Sequence, residues 1–397
     1  MKAAEIRPLP PVRIQKKQKT LSTILFAAGA LILLLGVFCF LIGDLQLPAF
    51  ASINSRLKSV YAEYLSTGQP LSFGDTAAYY AVKFAVVVML IGLLLLLNAY
   101  MLLGQHWERY RDFTCVLPAL IALALFVYYP LLDLVRISFT NWNLMKEEYK
   151  FVGIKNYKWL FAGSGWKYLK NTLWVTLRYT FWEVFFSLAG GLLLALLFDR
   201  MTRYFNALRA LVFMPKYIAT STSAIIFVWM LNGPHGIVNW ALGLLGIVGP
   251  DWLANSSTAL AGILMLTFWR TVGYAMMIYL SAMKGIPQDY YEAASIDGAD
   301  KMHCFRFITL PMLAPTTLFL LVTTFISSMK VFQSVDVMTS GGPYDATMVM
   351  VQWVYNLSFK DFRVDRAAAA SLVFFLVLLA FTTLTMKYSN KNVNYDQ

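Results

Sequence analysis

Arg270 sits near the middle of an apolar run, Leu260–Ser281, with Trp269 beside it and Tyr274 one helical turn further along the same face. A guanidinium at that depth is costly to leave unpaired, so it marks either a working site or a structural partner. The chemistry on offer is non-covalent. Aromatic rings cover the apolar faces of sugar rings, and Arg donates to hydroxyl or acidic groups. The other reading of Arg270 is structural: it holds backbone carbonyls, or a carboxylate such as Glu183. Arg178 and Glu183 lie in a second apolar run and point to partners on other helices. Lys216, just past Pro215, can snorkel or pair, and Lys330 near a helix end can snorkel. Catalytic groupings are missing: there is no G-x-x-x-x-G-K-[ST], no H-E-x-x-H helix and no G-x-S-x-G elbow. Cys39, Cys115 and Cys304 are too few and too scattered for a disulfide framework or a metal site. The chain is therefore expected to be neither an enzyme nor a metal binder.

The elements that must carry these charges are membrane spans. Of 397 residues, 59% are hydrophobic and 14% charged, whereas a soluble domain carries roughly 25% charged residues. A spanning helix needs about 20 mostly apolar residues, and eight segments qualify: Leu21–Ile42, Phe84–Leu103, Phe113–Leu132, Thr172–Phe198, Leu208–Leu231, Leu260–Ser281, Leu313–Ser328 and Ala367–Met386. The fold class expected is an all-α polytopic membrane protein, with an N-terminal helical hairpin ahead of a six-helix core. The hairpin's connecting loop can hold an amphipathic helix around Asn54–Leu65.

Lys and Arg in short loops set the orientation. The tail with Lys2, Arg7, Arg13, Lys16, Lys17 and Lys19 belongs inside, and eight spans return the C-terminus to the same side. The loop at 232–257, without Lys or Arg, falls outside. Residues 136–171 are the exception, an outer segment rich in Lys (Lys146, Lys150, Lys155, Lys158, Lys167, Lys170), an excess that can serve a partner's surface. The net charge of +12 is spread over tails and loops and points to lipid and topology, with no nucleic-acid face. Four parts follow: a basic tail (1–20), the hairpin with its external loop (21–112), the core (113–390) and a second tail (391–397).

Within the core, residues 289–315 form a polar loop between apolar runs. Asp289-x-x-Glu292 has capping-box spacing, Tyr290 to Ile296 allow about two helical turns, Gly298 supplies a left-handed end, and Pro311 marks the start of the next span. In order, Glu292-Ala293-Ala294, Asp297-Gly298-Ala299 and Ile308-x-Leu310-Pro311 resemble the EAA loop of ABC importer permeases. Other stretches carry the same likeness: Phe151-Val152-Gly153 with Asn156-Tyr157, Asn171-Thr172-Leu173, Arg209 with Phe213-Met214-Pro215, Trp229 with Gly236 and Asn239, and Thr339-x-Gly341-Gly342-Pro343. Together they resemble carbohydrate importer permeases of the maltose-permease type over about residues 113–390, without the large external insertion of the enteric members.

The resemblance implies a non-catalytic permease subunit of a binding-protein-dependent importer in a prokaryotic inner membrane, carrying a sugar or oligosaccharide. An acidic saccharide or glycerophosphate-type solute is the alternative, and a secondary transporter the alternative of another class. The implied partners are a second permease subunit, two ATPase subunits that hold ATP and Mg so that this chain binds no cofactor, and an extracellular or periplasmic solute-binding protein. The loop 286–311 would couple to the ATPase, with Glu292 facing basic groups and Ala293, Ala294 and Gly298 allowing close approach; Gly341, Gly342 and Pro343 would meet the binding protein.

Overall fold

The computed structural model describes residues 14–43, 85–103, 116–145, 149–199 and 202–392. The tail through Arg13, the expected helix around Asn54–Leu65, Phe113, Lys146 and Arg200 lie outside these residues. Two compact units form, Met1–Leu134 and Val135–Gln397. In the first, α1 (Ile14–Gly43) and α2 (Ala85–Leu103) pair as the expected hairpin. They touch backbone to backbone. A Cβ on Gly36 would lie 2.7 Å from Met89 N, and one on Gly92 would lie 2.5 Å from Leu33 N. Small residues permit such approach in lipid, where apolar side chains give helices no net reason to associate.

Next along the chain comes α3 (Val116–Ser138). The second unit holds the short α4 (Lys155–Ala162) and then α5 (Gly165–Leu197), 33 residues long, or about 50 Å at 1.5 Å per residue, well beyond the ~30 Å hydrocarbon core. Helix α6 (Arg203–Phe213) follows, then α7 (Thr220–Met230), α8 (Ile237–Leu244) and α9 (Ala259–Lys284). The polar loop gives α10 (Gln288–Ile296). The chain continues through α11 (Lys301–Met312), α12 (Ala314–Met329), α13 (Gln333–Met338), α14 (Met350–Tyr355) and α15 (Val364–Asn392). Among the described residues the one isolated β-bridge is Thr140–Phe151.

All eight expected segments are helical over their described residues, but one is broken and another starts at a bend. The run expected as one span at Leu208–Leu231 bends by 103° between Tyr217 and Thr220. Pro215 removes a helix donor, the chain tightens into a 3-10 turn over Met214–Tyr217, and Ile218 and Ala219 then turn extended, with ψ 134° and 138°. A second bend, of 59°, lies between α11 and α12, at the start of the seventh run, Leu313–Ser328, which is itself one helix. Pro311 therefore stands in the last turn before the bend and not at the start of the span; Pro315 takes that first-turn place, where a missing N–H goes unused.

The long helices α5 and α9 form the centre of this unit. A Cβ on Gly191 would meet Ala275 Cβ at 2.5 Å and Met276 N at 3.0 Å. Along the same seam Ser187 pairs with Thr271 (2.7 Å) and Tyr179 with Thr267 (2.9 Å). At the far end of α5, Ala195 packs with Met276, Tyr279 and Leu280 of α9, which brings the end of α9, and α10 after it, to that side.

Candidate functional site

Beside the α5–α9 seam, the broken span opens a cavity of 490 Å³. Tyr179 and Glu183 reach it from α5, Lys216 and Thr220 from the two sides of the break, Arg270 from α9 and Lys330 from the end of α12. The break is what makes it polar. Extended residues 218 and 219 leave a helix with carbonyls that lack the usual partner one turn on. Arg270 answers this with Nη2 donating to Ile218 O (3.0 Å) and Nη1 to Thr220 Oγ1 (2.7 Å). The carbonyl-binding reading of Arg270 is thus realised, in a side chain that also lines the cavity.

Some polar atoms remain spare. Arg270 Nε and Glu183 Oε2 are buried with no hydrogen-bond partner among the described residues. Glu183 is itself only 6% exposed. Lys330 lines this cavity and closes α12 as its C-cap residue. The other two aromatic candidates stand back from it: Trp269 packs on Phe227 at 5.5 Å, and Tyr274 lies under Lys216 Nζ at 5.1 Å. Tyr179, Thr220 and Thr267 are cavity residues that the sequence did not single out; the i, i+4 spacing of Tyr179 and Glu183 was the available signal.

Helix α10 follows α9 after Gly285-Ile286-Pro287. Its N-cap is Pro287, so Asp289 lies inside the first turn and the capping box expected from Asp289 and Glu292 does not form. An acid there still complements the helix dipole. The end is as expected: Gly298 is left-handed at φ 80°, its N–H donates to Ser295 O (3.2 Å) and that of Ala299 to Ala294 O (2.9 Å), the Schellman arrangement. Asp300 then caps α11 by accepting from His303 N (2.7 Å), and that bond holds its carboxyl below the usual carboxylate range.

No residue of α10 is buried: Tyr290 is 52% and Ile296 85% exposed, and Glu292 and Ala293 face outward. Tyr291 OH pairs with Thr309 Oγ1 (2.9 Å), which pins α10 to α11 near Leu310 and Pro311.

The loop of Gly341, Gly342 and Pro343 is tied down from within. Buried Thr347 donates to Gly342 O (2.6 Å) and pairs with Thr339 (2.7 Å), while Tyr344 at the tip is 99% exposed.

Apolar helices, one span of them broken, around a polar cavity and joined to an exposed surface helix define a membrane permease. The chain belongs to the family of binding-protein-dependent transport system inner membrane components, whose pattern matches residues 187–395. It is 30% identical over 284 residues to the trehalose/maltose transport system permease protein MalF of Thermococcus litoralis, covering 71% of this chain and 95% of that one. It is 27% identical over 290 residues to the sn-glycerol-3-phosphate transport system permease protein UgpA of Pectobacterium atrosepticum, covering 73% and 97%. In fold it resembles a bacterial alginate ABC transporter solved in complex with an alginate pentasaccharide-bound periplasmic protein, at TM-score 0.65 and 22% identity, covering 74% of this chain and 99% of that one.

Proposed function

We propose that this chain is one of two permease subunits of an ATP-driven importer and that its solute is a mono- or oligosaccharide. The observation that carries the reading is the cavity at the break, where hydroxyl, guanidinium, ammonium and carboxylate groups converge between apolar helices. The trehalose/maltose relative supports a sugar. An acidic saccharide or a glycerophosphate is the second reading, favoured by three cations (Lys216, Arg270, Lys330) facing one carboxylate, Glu183.

A second permease subunit closes the path on its open side. Two ATPase subunits bind ATP and Mg and grip α10, through Glu292 and the surface that Ala293, Ala294 and Gly298 leave low; this chain holds no cofactor of its own. Both termini face the cytoplasm of a prokaryotic cell, and a binding protein delivers solute to the opposite face, meeting Gly341–Tyr344. Closure of the ATPases moves α10. Through Gly285-Ile286-Pro287 the motion reaches α9, and the Tyr291–Thr309 contact carries it to α11. Arg270 rides on α9, so its grip on Ile218 and Thr220 changes and the bend of α6–α7 with it. The cavity then opens to one face or the other.

Two experiments test this. Purified in mild detergent, the tagged chain should bring down a second permease and two copies of an ATPase; a stable assembly without any ATPase would overturn the reading in favour of a secondary transporter. Gly298→Val forces a β-branched residue to positive φ, at about 1–2 kcal/mol, although the space beside Gly298 is open. Uptake and ATPase recovery should both be lost while membrane levels hold, and normal uptake would remove α10 from the coupling role.

A further inference from the structure

The Lys-rich segment 136–171 breaks the charge rule for outer loops, and the cavity above does not use it. At the Gly165 end of α5, away from α10, two further cavities of 460 and 440 Å³ share a wall made by Trp159, Arg363 and Arg366. The wall is aromatic and cationic at once. Trp159 stacks near Trp353 (centroids 6.2 Å apart, 28° between planes), and Tyr168 continues the row on Trp353 (6.3 Å, 19°). The Arg366 guanidinium lies 4.4 Å above the Trp159 ring, and its Nε is buried without a hydrogen-bond partner among the described residues.

Lys155 and Lys158 line one cavity and Lys360 the other; with Arg363 and Arg366 that makes five cations against the carboxylates of Asp345, Asp361 and Asp365. Asp365 is taken up by Arg363, at 3.1 and 2.9 Å. Four cations then face two carboxylates. Trp353 is buried and Trp159 packs under Arg366, so the open aromatic surface is that of Tyr168, 47% exposed; beside excess positive charge it matches a ring that carries an anionic group.

We infer that these paired cavities form a docking subsite for an anionic saccharide, a uronic acid or sugar phosphate, separate from the cavity at the break. The inference rests on the saccharide reading above and adds a second site and a charge preference to it. Sugar leaving a binding protein at Tyr344 meets the subsite directly, since Asp345 of that loop lines it. The Lys excess of 136–171 then has a use: Lys155 and Lys158 draw the anion in.

The test is calorimetric titration of the chain with its partner subunits in nanodiscs of zwitterionic lipid, without binding protein. Tri-galacturonate should bind the wild type more tightly than maltotriose. Lys360→Gln, on the exposed rim, and Arg366→Gln should each weaken tri-galacturonate about tenfold and change maltotriose by less than about twofold. Arg270→Gln separates the central cavity, and elution as an intact assembly controls for folding. Unchanged tri-galacturonate affinity in Lys360→Gln and Arg366→Gln would overturn the subsite while maltotriose binding preserves the saccharide reading. Failure of the wild type to bind either sugar would overturn both. Retention of phosphatidylglycerol by the wild type, lost in Lys360→Gln with sugar affinity intact, would assign the cavities to lipid headgroups and overturn the proposal.

Discussion

The hairpin pair and the α5–α9 pair both approach to backbone distance, and they are built from different materials. In the hairpin, Gly36 and Gly92 bring α1 and α2 together by shape. Between α5 and α9, Gly191 does the same, but hydroxyl pairs run beside it and Glu183 and Arg270 stand within a turn or so. Shape is enough to hold two helices in lipid. Polar groups at that depth are expensive, so a seam that keeps them is bordering something polar. The difference separates an anchor from a path.

The harshest way to break that comparison is to apply the same steric insult to both seams. Gly191→Leu would drive a side chain into Ala275 and the Met276 backbone, and Gly92→Leu into the Leu33 backbone; overpacking of this kind costs about 1–3 kcal/mol. Uptake in membrane vesicles, normalised to folded chain, should fall more than about tenfold for Gly191→Leu. For Gly92→Leu thermal stability should drop while normalised uptake stays above about half. Equal loss of uptake in both would mean that the hairpin shapes the path.

Next in size is the brace at the break. Arg270→Ala leaves Ile218 O without its donor, a loss of about 1–3 kcal/mol for a buried polar group. Sugar uptake should fall about tenfold, and Arg270→Lys, which keeps one donor, should recover part of it. Thr220→Val removes one of the two bonds and should lie between wild type and Arg270→Ala. Unaltered transport kinetics in Arg270→Ala would take Arg270 off the path altogether.

Much of the architecture was legible because its signals are local. Eight apolar runs gave eight helical segments, and the left-handed end at Gly298 followed from helix geometry. Several residues that carried the family resemblance prove to be ties in turns: Asn156 donates to Ser138 O and Thr140 O, Arg209 to Phe198 O, and Asn239 to Gly233 O and Pro250 O. What stayed hidden depends on how helices meet. The break at Ile218–Ala219 lies in a run long enough to read as one span, with Pro215, Lys216 and the polar Thr220–Ser223 around it as its signs. Arg270 was visible as a buried charge, yet its partner, a carbonyl released by that break, was not. Trp269 and Tyr274 were grouped with Arg270 by helical spacing, but the neighbours of α9 turn them onto Phe227 and Lys216. The capping box failed for a similar reason: Pro287 starts α10 two residues earlier than Asp289 would.

The finest probe is the hydroxyl pair Ser187–Thr271, which belongs to the polar seam and lines up with the Gly191 contact. Ser187→Ala alone leaves the Thr271 hydroxyl its second bond, to Thr267 O (2.8 Å), so the loss should stay near the average for such interhelical bonds, about 0.6 kcal/mol. Thr271→Ala removes both bonds and should cost somewhat more. The double variant should be more stable than the two losses added together predict, because the second change removes a partner already unpaired. A coupling energy indistinguishable from zero in that cycle, measured by reversible unfolding in detergent, would mean that the hydroxyls merely tolerate one another. The seam would then rest on glycine packing, as the hairpin does, and its polar character would have to come from Glu183, Arg270 and the Tyr179–Thr267 pair.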